Sequence, residues 1–443
     1  MSEQYLNCNR IMISATGSGR GKTTVTIGLL AALKEAGLKV CSFKCGPDYI
    51  DPMYHRSVIG VPSKNLDPFF ADEDLLRASF TDAAVSGEGS INVIEGAMGL
   101  YDGIGITSEA SAYSVACALD CPIILVVDAK GAGYSILATI KGFLGMDSNG
   151  LIKGVFLNRI SKDYCDRLAP VIEQQCGIKV VGFLPNNKEL NFESRHLGLK
   201  TPEENQIDER LAICKAAIKE STSIDGVIKL ANNAGAITVQ QVLDSRVTSV
   251  TDSKPVIAVA KDLAFSFYYE DNIKALELAG AEIKYFSPLK DEKLPEGTCA
   301  ILLGGGYPEL YDKELVANRA MSSLMAAAVK DGMPVMAECG GFMYLHYIGV
   351  LSGEVIAAGR LVRFGYINVS DSAYSLKGHE FHHFDVEHTG DEFDIVPASG
   401  KKPYKAIVRK NNLMAGFPHL YYFSDVNLPM DFVKKAAEYK NEQ

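Results

Sequence analysis

The chain has 443 residues, enough for about two or three domains at roughly 150 residues each. Hydrophobic residues make up 47% of the sequence and charged residues 22%, which excludes a disordered or fibrous chain. The formal net charge is −10 and no basic run stands out, so we expect neither nucleic acid nor an anionic membrane as a partner. No stretch reaches the ~18 uninterrupted apolar residues of a membrane span, and the N-terminus lacks an apolar signal core. We therefore expect a cytoplasmic protein.

Short β-rich segments alternate with helical stretches over residues 10–185, which predicts a mostly parallel sheet in an α/β domain. The alternation of predicted strands and helices resumes at PVIAVAKD and continues with AEIKYF, CAILLGGG and PVMAEC. Between them, residues 231–254 are small, polar and weakly periodic, as is typical of a linker. We predict two α/β domains, at residues 1–230 and 255–443, with 231–254 as the linker.

A glycine-rich segment, SATGSGRGKTT, lies between the first predicted strand and the first predicted helix. Its glycines can turn backbone N–H groups towards a phosphate, and its lysine adds a mobile cation. Thr16 replaces the first glycine of the pattern G-x-x-x-x-G-K-[ST], so the segment is a variant phosphate-binding loop. The threonine after the lysine is placed to bind Mg²⁺. The predicted nucleotide-binding residues here are Gly17, Gly19, Gly21, Lys22, Thr23 and Thr24.

Acidic residues follow several predicted strands in the first domain. The carboxyl ends of strands are where open α/β sheets place their ligands. A buried carboxylate there can hold Mg²⁺ directly or through water. Any one of these acids taken alone fits a turn cap or a solvated charge equally well, but together they predict a metal and phosphate site. The segments are FKCGPDYIDP with Lys44, Asp48 and Asp51, NLDPF with Asp67, and NVIEGAMGLYDG with Glu95 and Asp102.

The segment MPVMAECGGFMYL predicts a strand, a sharp turn at Cys339 and a helix. It resembles a nucleophile elbow, and the helix N-terminus favours the thiolate. We interpret the other nine of the ten cysteines as reduced thiols, because no paired spacing indicates a zinc site. Upstream, ILLGGGYPE at residues 301–309 offers backbone N–H groups for an oxyanion hole. Glu338 is expected to point to the opposite face of the strand.

A cysteine nucleophile needs a histidine base. A histidine on an apolar strand is as often a core residue as a base, so the residues alone leave the choice open. His346, one turn after Cys339, is expected to be a packing residue. The candidate bases are His379, His382 and His383 in KGHEFHHF, and His419 in GFPHLYYF.

From Arg10 to about Pro429 the chain resembles the cobyrinate a,c-diamide synthases of cobalamin biosynthesis. The motifs that carry the resemblance are, in order, SATGSGRGKTT, FKCGPDYIDP, NLDPFF, VIEGAMGLYDG, RHLGL (195–199), LGGGYPE, AECGGFMYL and GHEFHHF. The resemblance implies an N-terminal phosphate-loop domain like dethiobiotin synthetase and a C-terminal class I glutamine amidotransferase domain. It also implies ATP- and glutamine-dependent amidation of the a and c acetate groups of cobyrinate or a related tetrapyrrole through acyl phosphates, with Mg²⁺.

The resemblance further implies roles for individual residues. Cys339 is the nucleophile and His419 its base, with the KGHEFHHF histidines as the runner-up. In the wider class I amidotransferases a Glu follows the histidine by two residues, whereas Leu-Tyr-Tyr follows His419 here, so the third catalytic member is absent or comes from elsewhere. The remaining assignments are Gly305, Gly306 and Gly340 for the oxyanion, Thr23, Glu95 and Asp51 for Mg²⁺, Asp48, Tyr49 and Asp102 for the substrate and its activation, and Asn158 for adenine.

Other functions share part of this pattern. Nickel-sirohydrochlorin a,c-diamide synthases of coenzyme F430 biosynthesis carry the same motifs, so the identity of the ring stays open. Cobyrate synthases are disfavoured because GPDYIDP resembles the a,c-diamide branch more closely. A partitioning-type switch ATPase usually has a second lysine where this chain has Gly17, and it lacks a cysteine domain. Cys339 and its glycines argue against a regulatory pseudo-enzyme. The oligomeric state, a homodimer included, is left open.

Overall fold

The structure is a computed structural model that describes residues 4–190, 194–195, 198–199, 207–239 and 242–442. The chain divides into two compact units, Met1–Gln241 and Val242–Gln443. Two residues of the RHLGL motif, His196 and Leu197, lie outside the described residues. The ten cysteines all fall within the described ranges, and each is a free thiol. Of the helices that the structure describes, none has both the length and the apolar character of a transmembrane span.

The first unit is built around a parallel sheet with the strand order β4-β3-β5-β2-β6-β7-β8. Its central strands are buried along their whole length, as expected for a parallel sheet covered on both faces. The strands β1 to β11 are Gln4–Leu6, Arg10–Ala15, Lys39–Cys45, Ser63–Leu66, Ser90–Glu95, Ile123–Asp128, Ile152–Asn158, Lys179–Leu184, Ser194–Arg195, Gly198–Leu199 and Ile237–Val239. The helices α1 to α8 are Lys22–Glu35, Ile50–Tyr54, Glu73–Ala83, Ala112–Ala118, Ile136–Met146, Lys162–Cys176, Ile207–Ser221 and Ile224–Ala231.

The second unit contains a mostly parallel sheet and an antiparallel sheet. The first has the order β13-β12-β14-β15-β23-β22, with only the β22–β23 pair antiparallel in the part described, and the second has the order β21-β20-β17-β18-β24. Its strands β12 to β24 are Val256–Ala260, Glu282–Phe286, Thr298–Leu303, Val335–Glu338, Val355–Ala357, Arg363–Ser370, Ser375–His382, Phe384–Val386, Phe393–Pro397, Tyr404–Ala406, Val408–Lys410, Leu413–Gly416 and His419–Tyr421. Its helices α9 to α14 are Val242–Arg246, Glu270–Leu278, Asp312–Ala317, Arg319–Lys330, Gly340–Tyr347 and Asn427–Glu442. The prediction of two α/β domains is confirmed.

The segment expected to be a linker, residues 231–254, contains regular structure. Strand β11 pairs with β1 in antiparallel fashion and thereby belongs to the first unit. Helix α9 belongs to the second unit. A three-residue strand is too short to produce a periodic hydrophobic pattern, so this strand could not be predicted from the sequence.

Candidate functional site

The predicted phosphate-binding loop connects β2 to α1, and glycine is required where it enters the helix. Gly21 has a φ of 97°, and a Cβ there would lie 2.2 Å from Asn158 Nδ2. Asn158, at the end of β7, donates its side-chain amide to the carbonyl oxygen of Arg20 at 2.8 Å. The loop is therefore held by β7, two strands away from β2 in the sheet, and leads directly into a helix N-terminus, an arrangement suited to binding phosphate.

Lys22 is buried at the start of α1, and its ammonium group is held by the loops around it. Nζ donates to the carbonyl oxygen of Met98, and to that of Gly17 at 3.4 Å. Burial, followed by the charge of Lys44, lowers the pKa of Lys22 to about 8. A bound phosphate can replace these carbonyl groups as the partner of the ammonium and offers it a full negative charge.

The two threonines after Lys22 point in different directions. Thr23 Oγ1 donates to Glu95 Oε1 at 2.7 Å, which joins the helix start to the end of β5. Thr24 Oγ1 donates to the carbonyl oxygen of Leu190 at 3.3 Å. The Thr23 hydroxyl and the Glu95 carboxylate thus form a pair beside the phosphate-binding loop.

The end of β5 also meets a buried cluster of charged side chains, formed by Lys44 of β3 and two acids that follow this strand. Lys44 Nζ lies 3.0 Å from Glu95 Oε1, forms an ion pair with Asp51, and lies 3.9 Å from Asp48 Oδ2. Burial alone would lower the pKa of Lys44, but Asp51 and Glu95 raise it well above its usual value. Burial would likewise raise the pKa of Glu95, but Lys44 and two neighbouring hydrogen-bond donors bring it below its usual value. Lys44 and Glu95 are therefore charged near neutral pH.

His55 is a further contact of Glu95 that the sequence analysis did not identify. It is fully buried, and its Nε2 lies 3.4 Å from Glu95 Oε2. Its Nδ1 is 3.1 Å from Ser42 Oγ and 3.2 Å from Ser63 Oγ. Since Ser42 Oγ also donates to a carbonyl oxygen, the Ser63 hydroxyl can donate to Nδ1 and leave the ring proton on Nε2, facing Glu95.

The predicted substrate residues lie in the turns around this cluster. Asp48 Oδ1 accepts the backbone N–H groups of Ile50 at 2.8 Å and Asp51 at 3.2 Å, and so caps the start of α2. Tyr49, between them, is buried. Asp102 Oδ2 accepts the N–H of Gly99 at 2.9 Å.

The turn that contains Asp102 lies directly against the phosphate-binding loop. A Cβ at Gly99 would be 2.5 Å from Asp102 Oδ2 and 3.2 Å from the Cα of Gly17. Only glycine allows the two loops to approach so closely.

The donors beside the phosphate-binding loop suit a magnesium ion. Among the described residues, no group of three or more His, Cys, Asp or Glu side chains is arranged to hold a metal by itself. Mg²⁺ typically takes one or two protein oxygens and completes its shell with substrate phosphates and water. The hydroxyl of Thr23 and the ionised carboxylate of Glu95 fit this pattern.

In the second unit, Cys339 lies at a sharp turn between β15 and α13. Its φ of 48° is unusual for a residue other than glycine, as expected for a nucleophile elbow. Gly341 lets α13 approach β14, since a Cβ there would be 2.4 Å from the carbonyl oxygen of Leu303. Burial raises the pKa of the Cys339 thiol, and Glu309 raises it further. The free protein thus differs from the expectation of a favoured thiolate, because burial outweighs the helix N-terminus.

The three glycines predicted for the oxyanion region meet beside this turn. A Cβ at Gly340 would be 3.1 Å from the backbone nitrogen of Gly306, so the two glycines are in contact. A Cβ at Gly305 would be 2.4 Å from His419 Cε1. Gly340 therefore lies against Gly306, and the neighbouring Gly305 lies against the imidazole of His419.

Glu338 lies near His419, a contact that its expected place on the opposite face of the strand did not lead us to predict. Its Oε2 lies 4.0 Å from His419 Nδ1, and its Oε1 accepts a hydrogen bond from Tyr422 Oη at 3.3 Å. The register of the parallel pair β15–β23, with Glu338 beside Gly416, turns the side chain towards the segment that leads to His419. The sequence of β15 alone carries no signal for this, since the position of β23 is set by residues about 75 positions later in the chain.

Of the other candidate histidines, His379 and His382 lie close to His419. His379 stacks on His419 with ring centroids 4.8 Å apart, and its Nδ1 is 3.1 Å from Tyr269 Oη. His382 stacks on Phe417 with ring centroids 4.0 Å apart. His346 packs edge-on against Phe342, in agreement with its predicted packing role.

Two family models match the chain. Residues 11–199 match the CobQ/CobB/MinD/ParA nucleotide binding domain, and residues 256–426 match the CobB/CobQ-like glutamine amidotransferase domain. The cobyrinate a,c-diamide synthase of Clostridium acetobutylicum is 38% identical over 96% of this chain and 98% of its own. Those of Priestia megaterium and Listeria innocua are 35% and 36% identical and cover 98% and 94% of this chain, and 98% and 97% of their own.

The chain belongs to the cobyrinate a,c-diamide synthase family. The predicted order of a nucleotide-binding domain followed by a glutamine amidotransferase domain is confirmed by the two family models. In this member of the family, the start of α1 and the ends of β3 and β5 bring Thr23 of the phosphate-binding loop together with the predicted acidic cluster: Thr23 contacts Glu95, and Lys44 contacts both Glu95 and Asp51.

Proposed function

We propose that this protein is a ligase that amidates the a and c acetate side chains of cobyrinate, with glutamine as the nitrogen donor and ATP as the cosubstrate. Its membership of the cobyrinate a,c-diamide synthase family is the observation that carries the proposal. The contact of His419 with the glycines beside Cys339 supports the amidotransferase step. The contacts of Lys22, Thr23 and Glu95 support the ATP-dependent step. We assign the ATP-dependent step to residues 1–230 and glutamine hydrolysis to residues 255–443.

Glutamine hydrolysis begins with proton transfer from Cys339 Sγ to His419. The sulfur then attacks the carbon of the glutamine side-chain amide, and backbone N–H groups from the glycines Gly305, Gly306 and Gly340 stabilise the negative oxygen. The amide nitrogen takes the proton from His419 and leaves as ammonia. Water hydrolyses the resulting thioester, which yields glutamate and restores the thiol.

The ATP-dependent step makes the substrate carboxylate a better acyl donor. A carboxylate oxygen attacks the γ-phosphorus of ATP, ADP leaves, and an acyl phosphate forms. Ammonia then attacks the acyl carbon, phosphate leaves, and the nitrogen loses a proton to give the amide. Each acetate consumes one ATP and one glutamine, so two rounds give the diamide.

The residues of the first unit divide this work. We assign phosphate binding to Gly17, Gly19, Gly21, Lys22, Thr23 and Thr24, and recognition of adenine to Asn158. Thr23 and Glu95 would hold Mg²⁺, with Asp51 joined to them through Lys44. When bound, Mg²⁺ neutralises charge on the β- and γ-phosphates. Asp48, Tyr49 and Asp102 orient the tetrapyrrole carboxylate.

Two variants test this division of labour. Cys339→Ala removes the nucleophile and should lower glutamine-dependent amidation by at least about 10³-fold, while amidation with ammonium salts survives.

Lys22→Ala should abolish product formation with either nitrogen donor, because the γ-phosphate loses its cation, while glutamine hydrolysis remains measurable. Product and glutamate are measured in parallel. If Cys339→Ala also loses the ammonia-dependent reaction, or if Lys22→Ala forms product normally, the assignment is wrong.

A further inference from the structure

The carboxyl group of Glu338 is held by the segment that carries the proposed base. Its Oε2 lies 4.0 Å from His419 Nδ1, while its Oε1 accepts a hydrogen bond from Tyr422 Oη at 3.3 Å. The backbone N–H of Leu420 also binds this carboxylate. His419, Leu420 and Tyr422 belong to four consecutive residues, so the carboxylate is fixed relative to the imidazole by contacts on both sides.

The backbone of Cys339 is hydrogen-bonded to β23, the strand that pairs with β15. The N–H of Cys339 donates to the carbonyl oxygen of Gly416 at 2.7 Å, and Glu338 lies beside Gly416 in the β15–β23 register. Gly416 precedes His419 by only three residues. The short segment from Gly416 to His419 therefore links the backbone of Glu338 and Cys339 to the imidazole.

The orientation of the imidazole gives each ring nitrogen a different neighbour. The closest ring atom to a Cβ built at Gly305 is Cε1, at 2.4 Å, and both nitrogens lie 3.3 Å from it. Nδ1 is the nitrogen near Glu338. Nε2, on the other side of Cε1, is then the nitrogen left available for proton transfer with Cys339.

We propose that Glu338 is a positioning residue for glutamine hydrolysis, which holds the Nδ1–H of His419 so that Nε2 accepts the proton of Cys339. This inference rests on the proposed glutaminase activity. The proton moves from Sγ to Nε2 and from Nε2 to the departing ammonia, while the Nδ1 proton stays on the ring. A carboxylate at Nδ1 fixes the tautomer and stabilises the imidazolium that forms in between. Glu338 thereby takes the place of the Glu that is missing two residues after His419.

The pH dependence of hydrolysis should report Glu338. Burial raises its pKa to about 8, so the carboxylate form grows as the pH rises through that value. The ionised form is the one that stabilises the imidazolium, and kcat should therefore rise with pH through about 8.

The other ionisable groups around Glu338 titrate elsewhere. Burial and then His382 lower the pKa of His419 to about 3, and burial lowers that of His379, which stacks on it. Burial lowers the pKa of His382 to about 4. Burial raises the pKa of the Tyr268 hydroxyl and of the Cys339 thiol well above 8. The hydroxyl of Tyr422 donates to Glu338 itself.

The test compares Glu338→Gln with Asp271→Asn in glutamine hydrolysis by the full-length protein. Asp271 is also a buried acid that binds this segment, since Tyr421 Oη donates to its Oδ2 at 2.8 Å. Glu338→Gln should lower kcat by about 10²-fold or more, leave the KM for glutamine within about threefold, and lose the rise near pH 8. Asp271→Asn should retain both kcat and the pH profile. Thermal unfolding checks that both variants are folded.

A third variant keeps the carboxyl group in place. Tyr422→Phe removes one donor to the ionised form of Glu338, so the rise in kcat should move to higher pH, an effect that a purely structural role would not produce. The inference is overturned if Glu338→Gln keeps the wild-type kcat and pH profile, or, where that variant is unfolded, if Tyr422→Phe leaves the profile unshifted. If the wild-type protein itself hydrolyses no glutamine, the proposed function fails first.

Discussion

Among single residues, Glu95 connects three side chains of the first site, those of Thr23, Lys44 and His55. Thr23 Oγ1 and Lys44 Nζ contact one of its oxygens, and His55 Nε2 lies near the other. Its side chain is fully buried, so these donors fix both its charge and its direction. A change in any of them should act on metal and phosphate through Glu95.

His55→Gln tests this at the level of one residue. The amide is shorter than the imidazole and should leave Glu95 less firmly oriented, so the Mg²⁺ concentration for half-maximal amidation should rise roughly 10-fold. Ammonia serves as the nitrogen donor, so that only the ATP-dependent step is measured. His346→Gln, at a buried histidine of the second unit, is the matched control and should leave the Mg²⁺ requirement unchanged. An unchanged requirement in His55→Gln would refute the positioning role.

The residues that could be assigned to a loop or turn from the sequence are those that lie within a recognisable pattern of neighbouring glycines. Lys22, Thr23 and Cys339 follow from the pattern of glycines around them, which dictates backbone shape within a few residues. His55 and Glu338 were missed or misplaced because their neighbours come from other strands. His55 meets Glu95 across 40 residues of sequence, and Glu338 meets His419 across 81, contacts that only the strand order and register determine.

At the scale of an element, the phosphate-binding loop is constrained at Gly21, and Gly21→Ala tests this constraint. The new Cβ would be strained at a φ of 97° and would displace Asn158. The KM for ATP should rise at least about 10-fold, equivalent to ~1.4 kcal/mol. Gly37→Ala is the matched control, because its φ of 84° brings a similar strain of ~1–2 kcal/mol but nothing lies within 4 Å of the new Cβ. It should lower the melting temperature without changing the KM for ATP; equal values of KM in the two variants would contradict this account.

Elements with a strong hydrophobic pattern were predicted correctly, and weakly patterned ones were not. The buried strands β2 and β5 appear in the sequence as RIMISAT and INVIE. The antiparallel sheet that carries His379 and His419 was not foreseen. Its strands alternate between buried and exposed residues only in part, as in β18, so their pairing depends on neighbours distant in sequence.

For the whole molecule, the proposed function combines two reactions that should differ in their requirement for metal. Removal of divalent metal with EDTA should abolish ATP-dependent amidation, because the charge on the β- and γ-phosphates is no longer neutralised. Glutamine hydrolysis without ATP should continue, since Cys339 and His419 need no metal in the proposed mechanism. Excess Mg²⁺ should restore amidation. A loss of both activities on chelation would contradict the separation of the two steps.

The central claim is that this chain converts cobyrinate to its a,c-diamide. The most direct measurement is mass spectrometry of the product after incubation of the purified protein with Mg-ATP and glutamine, with cobyrinate and nickel-sirohydrochlorin in separate reactions. We predict that cobyrinate loses two carboxylate oxygens, gains two amide nitrogens and becomes about 2 Da lighter, through a monoamide intermediate. Amidation of nickel-sirohydrochlorin in place of cobyrinate would preserve the chemistry but contradict the substrate, and no amidation of either while glutamine is hydrolysed would contradict the tetrapyrrole assignment.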